Sequence, residues 1–118
     1  MKNILILGAG MSTRTLISYL LNNAKENNWR VIVADANKLL AKEAILNSEF
    51  GHAISLDIFN EQNREKQIME SEIVVSMLPP SMHHIIAKDC IKYKKNLVTA
   101  SYVSKEMSLL DNDAKNAG

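Results

Sequence analysis

Cysteine is almost absent from this sequence, and so are charge imbalance and long apolar runs. A single cysteine, Cys90, excludes an intramolecular disulfide. With only three histidines beside it, two of them adjacent (His83, His84), no second ligand pair stands at a zinc-binding spacing, so no metal is expected. Fourteen basic residues against thirteen acidic leave a net charge of +1, which gives no reason to expect nucleic acid or an anionic membrane as a partner. No apolar stretch approaches the ~20 residues of a membrane helix. The N-terminal Ile4–Leu7 run is too short for a secretory leader and runs straight into glycines. These absences predict a cytoplasmic protein without membrane or nucleic-acid contacts.

What is present is a regular alternation. The chain has 118 residues, one domain's worth, and is 47% hydrophobic. Asn3–Leu7, Arg30–Ala34, Gly51–Leu56, Ile73–Met77 and Asn96–Thr99 read as short apolar strands. Between them, Met11–Ala24, Asn37–Ser48, Glu61–Ser71 and a segment from Ser81 to about Tyr93 carry helical spacing. Asn37 and Ser81 stand as caps. A last helix follows Ser104, with Met107, Leu110, Ala114 and Ala117 at steps of three and four. Met69, Met107 and Cys90 are expected in the core. Strands alternating with helices predict an α/β fold, a doubly wound parallel sheet of the Rossmann type in one domain. Ligands of such a sheet lie outside the carboxyl ends of its strands.

The first turn carries chemistry. In ILGAGMSTR, Gly8, Gly10 and Thr13 occupy the three positions of G-x-G-x-x-G, after a strand and before a helix. Gly8 permits the tight turn. Gly10 leaves bare backbone against which a pyrophosphate can lie, and the helix end beyond supplies N–H groups and a positive dipole. Met11 and Ser12 belong to the same cradle. Thr13 puts a β-branched side chain where close helix–strand packing normally takes a small residue. Either the helix sits further out or the hydroxyl finds a partner. Asp35 ends the second strand, 22 residues beyond Thr13, near the ~20 expected of the acid that binds an adenosine ribose. Its carboxylate would repel a 2′-phosphate, so it favours NAD over NADP, although Lys38 stands close. A helix-capping role for Asp35 stays open. Arg14 is a phosphate partner or a surface charge.

Further along, Leu78 and Pro79 in SMLPP end the fourth strand, where the loop approaches the nicotinamide side. His83 lies on the apolar stripe of the next helix, with packing, capping and cofactor contact all open. His84 points elsewhere, towards solvent. Asp57, after the third strand, stands where an adenine-contacting acid can lie, or caps a helix. Ser101 and Tyr102 follow the fifth strand with hydroxyls for the same cleft.

On three segments (ILGAGMSTR, VVSMLPPSMHH and VTASYVSKEMSLLDNDAKNAG) the chain resembles the cofactor-binding domain of the saccharopine dehydrogenase family. The resemblance spans essentially the whole sequence. It implies an NAD(P)-dependent oxidoreductase that moves hydride between the nicotinamide and a C–N bond of an amino-acid adduct. Its dinucleotide would be held by Gly8, Gly10 and Met11, by Asp35, and by Leu78 and Pro79. The family carries a second, substrate-binding domain, so this chain is expected to be the N-terminal part of a longer enzyme and inactive alone. Its catalytic residues are unknown, and a homodimer is possible. The alternative is a non-catalytic, NAD-sensing regulatory domain of the kind attached to potassium transporters; the S-x-L-P-P and T-x-S-Y segments argue against it.

Overall fold

The five apolar runs form five strands, and the computed structural model describes residues 2–10 and 13–99 of the chain. In order these are β1 (Lys2–Leu7), α1 (Arg14–Asn22), α2 (Ala24–Asn27), β2 (Trp29–Asp35), α3 (Lys38–Ile45), β3 (Gly51–Ser55), α4 (Glu61–Met69) and β4 (Ile73–Ser76). A 3-10 turn (Pro80–Met82), α5 (His83–Lys92) and β5 (Asn96–Thr99) complete them. The helix expected after Ser104 lies outside the described residues.

All strands pair in parallel, in the order β3-β2-β1-β4-β5. The chain therefore winds one way from β1 to β3 and the other way from β4 to β5. Its switch point falls between β1 and β4, where a doubly wound sheet opens a ligand crevice. Alternation along the strands divides the core in two. Ile4, Ile6, Val31, Val33 and Val75 face Ile17 and Leu21 of α1 and Ala41 and Ala44 of α3. Leu5, Leu7, Ala34 and Val74 face Ile68 of α4 and Ile86 and Cys90 of α5. Strands β1, β2 and β4 are buried on both faces along most of their length, which explains their near-continuous apolar runs, whereas the edge strands β3 and β5 keep exposed residues.

Some boundaries differ from expectation for local reasons. The first helix stops at Asn23, whose side-chain amide donates to the Tyr19 carbonyl (2.8 Å) and competes with the ladder. The helix expected over Asn37–Ser48, α3, ends at Ile45, because Leu46 and Asn47 take left-handed conformations (φ 51° and 59°). Its predicted cap holds: the Asn37 side chain accepts the Leu39 N–H. Ser81 does not cap α5. The chain first closes a turn, with Met82 N–H donating to the Pro79 carbonyl (2.9 Å), and Met82 becomes the cap residue. Met69 is not core: as the last residue of α4 it is half exposed.

Helices α4 and α5 are joined by polar contacts. Glu65 accepts from Lys92 Nζ (2.8 Å) and from the Tyr93 hydroxyl (3.0 Å). The Lys92 bond first, then the Tyr93 bond, hold the Glu65 carboxyl below its ordinary range. Among the described residues no helix is long and apolar enough to cross a membrane, and no group of three or more His, Cys, Asp or Glu could hold a metal ion.

Candidate functional site

The site lies along the carboxyl ends of β1, β2, β3 and β4. At the end of β1, Gly8 takes a φ of +102°, which L side chains rarely adopt. A Cβ there would also stand 3.2 Å from the Met77 carbonyl oxygen. Gly8 N–H donates to the Ala34 carbonyl (2.8 Å) and Met77 N–H to the Leu7 carbonyl (2.9 Å), so the turn is strapped to both neighbouring strands. Gly10 is different. It is exposed, and among the described residues a Cβ on it would meet no atom within 4 Å. Bare backbone there faces open space.

Helix α1 begins just beyond. It has no acidic residue in its first turn, so its positive end is left uncompensated for an anion. Thr13, its cap residue, is buried at 2% exposure. Its N–H donates to the Gly10 carbonyl (2.9 Å) and its hydroxyl makes no capping bond to the helix. The β-branched side chain is buried at the start of the helix. Arg14 pairs with Glu43 of α3 (3.2 Å).

Asp35 is drawn inward. One carboxylate oxygen accepts the Ala9 N–H (2.9 Å) and the other the Asn37 N–H (2.8 Å). The residue both closes the glycine turn and shapes the entry to α3. It also lines a cleft of about 250 Å³ with Leu7, Ala34, Ala36, Leu56, Asp57, Ile58, Phe59, Leu78 and Met82. Pockets that enclose a drug-sized ligand run to roughly 300–1,000 Å³, so this cleft suits one ring system of a larger molecule. Exposed Asp57 forms a turn there: its side chain accepts the Phe59 N–H (2.9 Å) while Asn60 caps α4. His83 is 1% exposed, and its Nε2 meets the Leu78 carbonyl at 2.6 Å. His84 is partly buried, and Pro79 is exposed beside the turn.

The structure thus brings Gly8, Gly10, Thr13, Asp35, Asp57, Leu78 and Pro79 to one edge of the sheet. His83 stands behind Leu78. Met11, Ser12, Ser101 and Tyr102 lie outside the described residues. Sequence reasoning missed the apolar wall of Ile58 and exposed Phe59, and the pair behind it, Arg64 with Asp89. Asp89 is buried on α5 next to Cys90, and that position was the one signal that a cation must arrive from another element.

A bare glycine at a helix N-terminus, beside a small apolar cleft at the switch point, is an arrangement that fits a dinucleotide. A family model described as the saccharopine dehydrogenase NADP binding domain matches residues 4–118. The chain belongs to this family. It is 35% identical over 134 residues to an alpha-aminoadipic semialdehyde synthase of Arabidopsis thaliana, covering 99% of this chain and 13% of that protein. Against the Schizosaccharomyces pombe saccharopine dehydrogenase (NADP(+), L-glutamate-forming) it is 34% identical over 119 residues, covering 100% of this chain and 26% of that one. The solved apo saccharopine dehydrogenase (L-Glu forming) of Saccharomyces cerevisiae superposes with a TM-score of 0.87 at 30% identity, over 100% of this chain and 26% of its own. The chain therefore spans about a quarter of the fungal saccharopine dehydrogenases and about an eighth of the plant protein.

Proposed function

We propose that this chain is the NADP(H)-binding module of a saccharopine dehydrogenase-like oxidoreductase, one that transfers hydride between the nicotinamide and a C–N bond of an amino-acid adduct. The observation that carries the reading is the open space over Gly10 at the uncompensated N-terminus of α1. The pyrophosphate lies there, with Met11 and Ser12 as further contacts. The adenine ring takes the cleft between Leu7, Ala34, Ile58 and Phe59. Leu78, Pro79 and Ser101 flank the nicotinamide side. The nicotinamide supplies the hydride chemistry when bound; these residues bind it, orient it and exclude water. The amino-acid adduct is met by parts of a longer protein, and a cytoplasmic location belongs to the same reading.

The choice of NADP(H) rests on the family and on Asp35. A carboxylate already engaged by two backbone N–H groups is a weaker obstacle to a 2′-phosphate than one turned to the ribose. Exposed Lys38, the first residue of α3, is the cation nearest in sequence. One observation favours NAD(H) instead: Asp35 still lines the cleft, and each of its oxygens has a lone pair left for a ribose hydroxyl.

Parallel calorimetric titrations with NADPH and NADH test the reading. Tighter NADPH binding, weakened by Lys38→Ala, is expected. Tighter NADH binding returns Asp35 to the ribose. Binding of neither, by the intact protein, overturns the nucleotide reading.

A further inference from the structure

Two walls of the cleft are fixed to one helix. Leu78, following β4, is held through His83, the first residue of α5. Ile58 and Phe59 follow β3, three strand positions away in the sheet, which is roughly 14 Å at ~4.8 Å per strand. That distant wall is also tied to α5. Arg64 of α4 donates from Nη1 to the Ile58 carbonyl (2.8 Å) and from Nε to Oδ2 of Asp89 on α5. Its Nη2 lies 3.5 Å from Oδ1 of the same carboxylate. The two side chains are 12% and 8% exposed.

The turn from Asp57 to Asn60 has its own bonds. Phe59 N–H reaches the Asp57 carboxylate and Asn60 N–H the Asp57 carbonyl, both at 2.9 Å. These fix the shape of the turn but not its distance from the rest of the cleft. Leu56 N–H, donating to the Asp35 carbonyl (3.0 Å), ties the start of the turn to β2, and Arg64 ties Ile58 to α5, because its planar fork can serve the carbonyl and the carboxylate together. A buried ion pair adds little net stability, since desolvation offsets its attraction. The clear consequence of this one is the place it gives Ile58.

We propose that Arg64, oriented by Asp89, is a positioning residue for the adenosine end of the bound dinucleotide, holding the Ile58–Phe59 wall at the width an adenine ring needs. The proposal rests on the nucleotide-binding reading given above. Arg64 touches no ligand; it acts through the Ile58 carbonyl.

The test uses the intact protein as wild type, Arg64→Lys, and the double variant Arg64→Met/Asp89→Leu. Each is titrated calorimetrically with NADPH and with 2′,5′-ADP, and each is melted. The apolar double variant removes both buried charges and leaves only the Ile58 carbonyl without its donor, so it should fold with a Tm a few degrees below wild type. Its affinity should fall further. Both ligands should bind about tenfold more weakly, by the same factor, because the loss lies in the half they share. Arg64→Lys keeps a charge for Asp89 but loses the fork, so it should fold and show the same common loss if the double variant does not fold. Affinity within twofold of wild type in a folded variant overturns the proposal. So does a loss for NADPH that 2′,5′-ADP does not share. A wild type that binds neither ligand overturns the nucleotide reading itself, a separate outcome.

Discussion

The Asp35 carboxylate accepts the backbone N–H of Ala9 at 2.9 Å, so the end of β2 closes the glycine turn that follows β1. Its second oxygen does the same for Asn37 at the start of α3. One side chain thus couples the glycine turn to the cleft. Removing it should act on both. Hydrogen bonds to a charged group contribute ~1.5–3 kcal/mol each, and these are partly exposed and not additive. Asp35→Ala should therefore lose about 2–3 kcal/mol in urea unfolding. NADPH and NADH affinities should fall by similar factors. A loss confined to NADH would instead identify Asp35 as a ribose ligand.

The two glycines of the turn should separate stability from binding. Gly10→Ala adds a methyl into open space, where φ is not positive, so the fold should be unharmed or gain ~0.4–1 kcal/mol. The same methyl enters the space proposed above for the pyrophosphate, and NADPH affinity should drop tenfold or more. Gly8→Ala should show the opposite order. Its φ of +102° and the 3.2 Å approach to the Met77 carbonyl make it destabilising by about 1–3 kcal/mol. Thermal melts and calorimetry on the two variants give both readings. Unchanged NADPH binding in Gly10→Ala would move the pyrophosphate elsewhere.

Much of this architecture was legible because it is local. Strands β1, β2 and β4 were readable as apolar runs because both of their faces are covered, and the edge strands β3 and β5 from short apolar stretches between turns. Asn37 was readable as a cap because a cap acts two residues on. Gly8 and Gly10 were readable from their spacing after a strand. What could not be read depends on direction and distance. The sequence places a carboxylate at Asp35 but says nothing of its turning in towards Ala9, 26 residues earlier. Arg64 and Asp89 are 25 residues apart, on helices that meet only once the sheet has formed. The stop at Asn23 turns on one amide choosing the Tyr19 carbonyl over water.

His83 makes a bond whose direction is fixed by its partner. The Leu78 carbonyl can only accept, so Nε2 carries the proton and donates at 2.6 Å. His83→Ala would leave that carbonyl unpartnered and open a cavity at a site 1% exposed, which should cost about 2–4 kcal/mol. His83→Gln places an amide N–H near the same position and should recover part of the loss, with NADPH affinity within a few-fold of wild type. Urea midpoints for the three proteins decide it. Equal losses in both variants would show that shape, not the hydrogen bond, is what His83 provides.

Cys90 gives the chain a pH dependence of predictable sign. The thiol is fully buried beneath the sheet among Ile68, Val74 and Ile86. Burial, with Asp89 adjacent, pushes its pKa from 9.0 up to about 12. Below pH 9 both native and unfolded chains keep the proton, and stability does not depend on it. Above pH 9 the unfolded chain ionises first, so stability falls as pH rises towards 12, by at most ~1.4 kcal/mol per pH unit. Between pH 8 and pH 10 the wild type should therefore lose about 1.4 kcal/mol more than Cys90→Ala, because lysine and tyrosine titrations are common to both. Urea unfolding at the two pH values measures the difference. An aromatic disulfide reagent at pH 8 gives an independent reading: a thiolate attacks its S–S bond, forming a mixed disulfide and releasing the aromatic thiolate, so native Cys90 should react only through unfolding. Rapid labelling of folded protein, or equal pH losses in the two chains, would mean that the thiol reaches water from the native state.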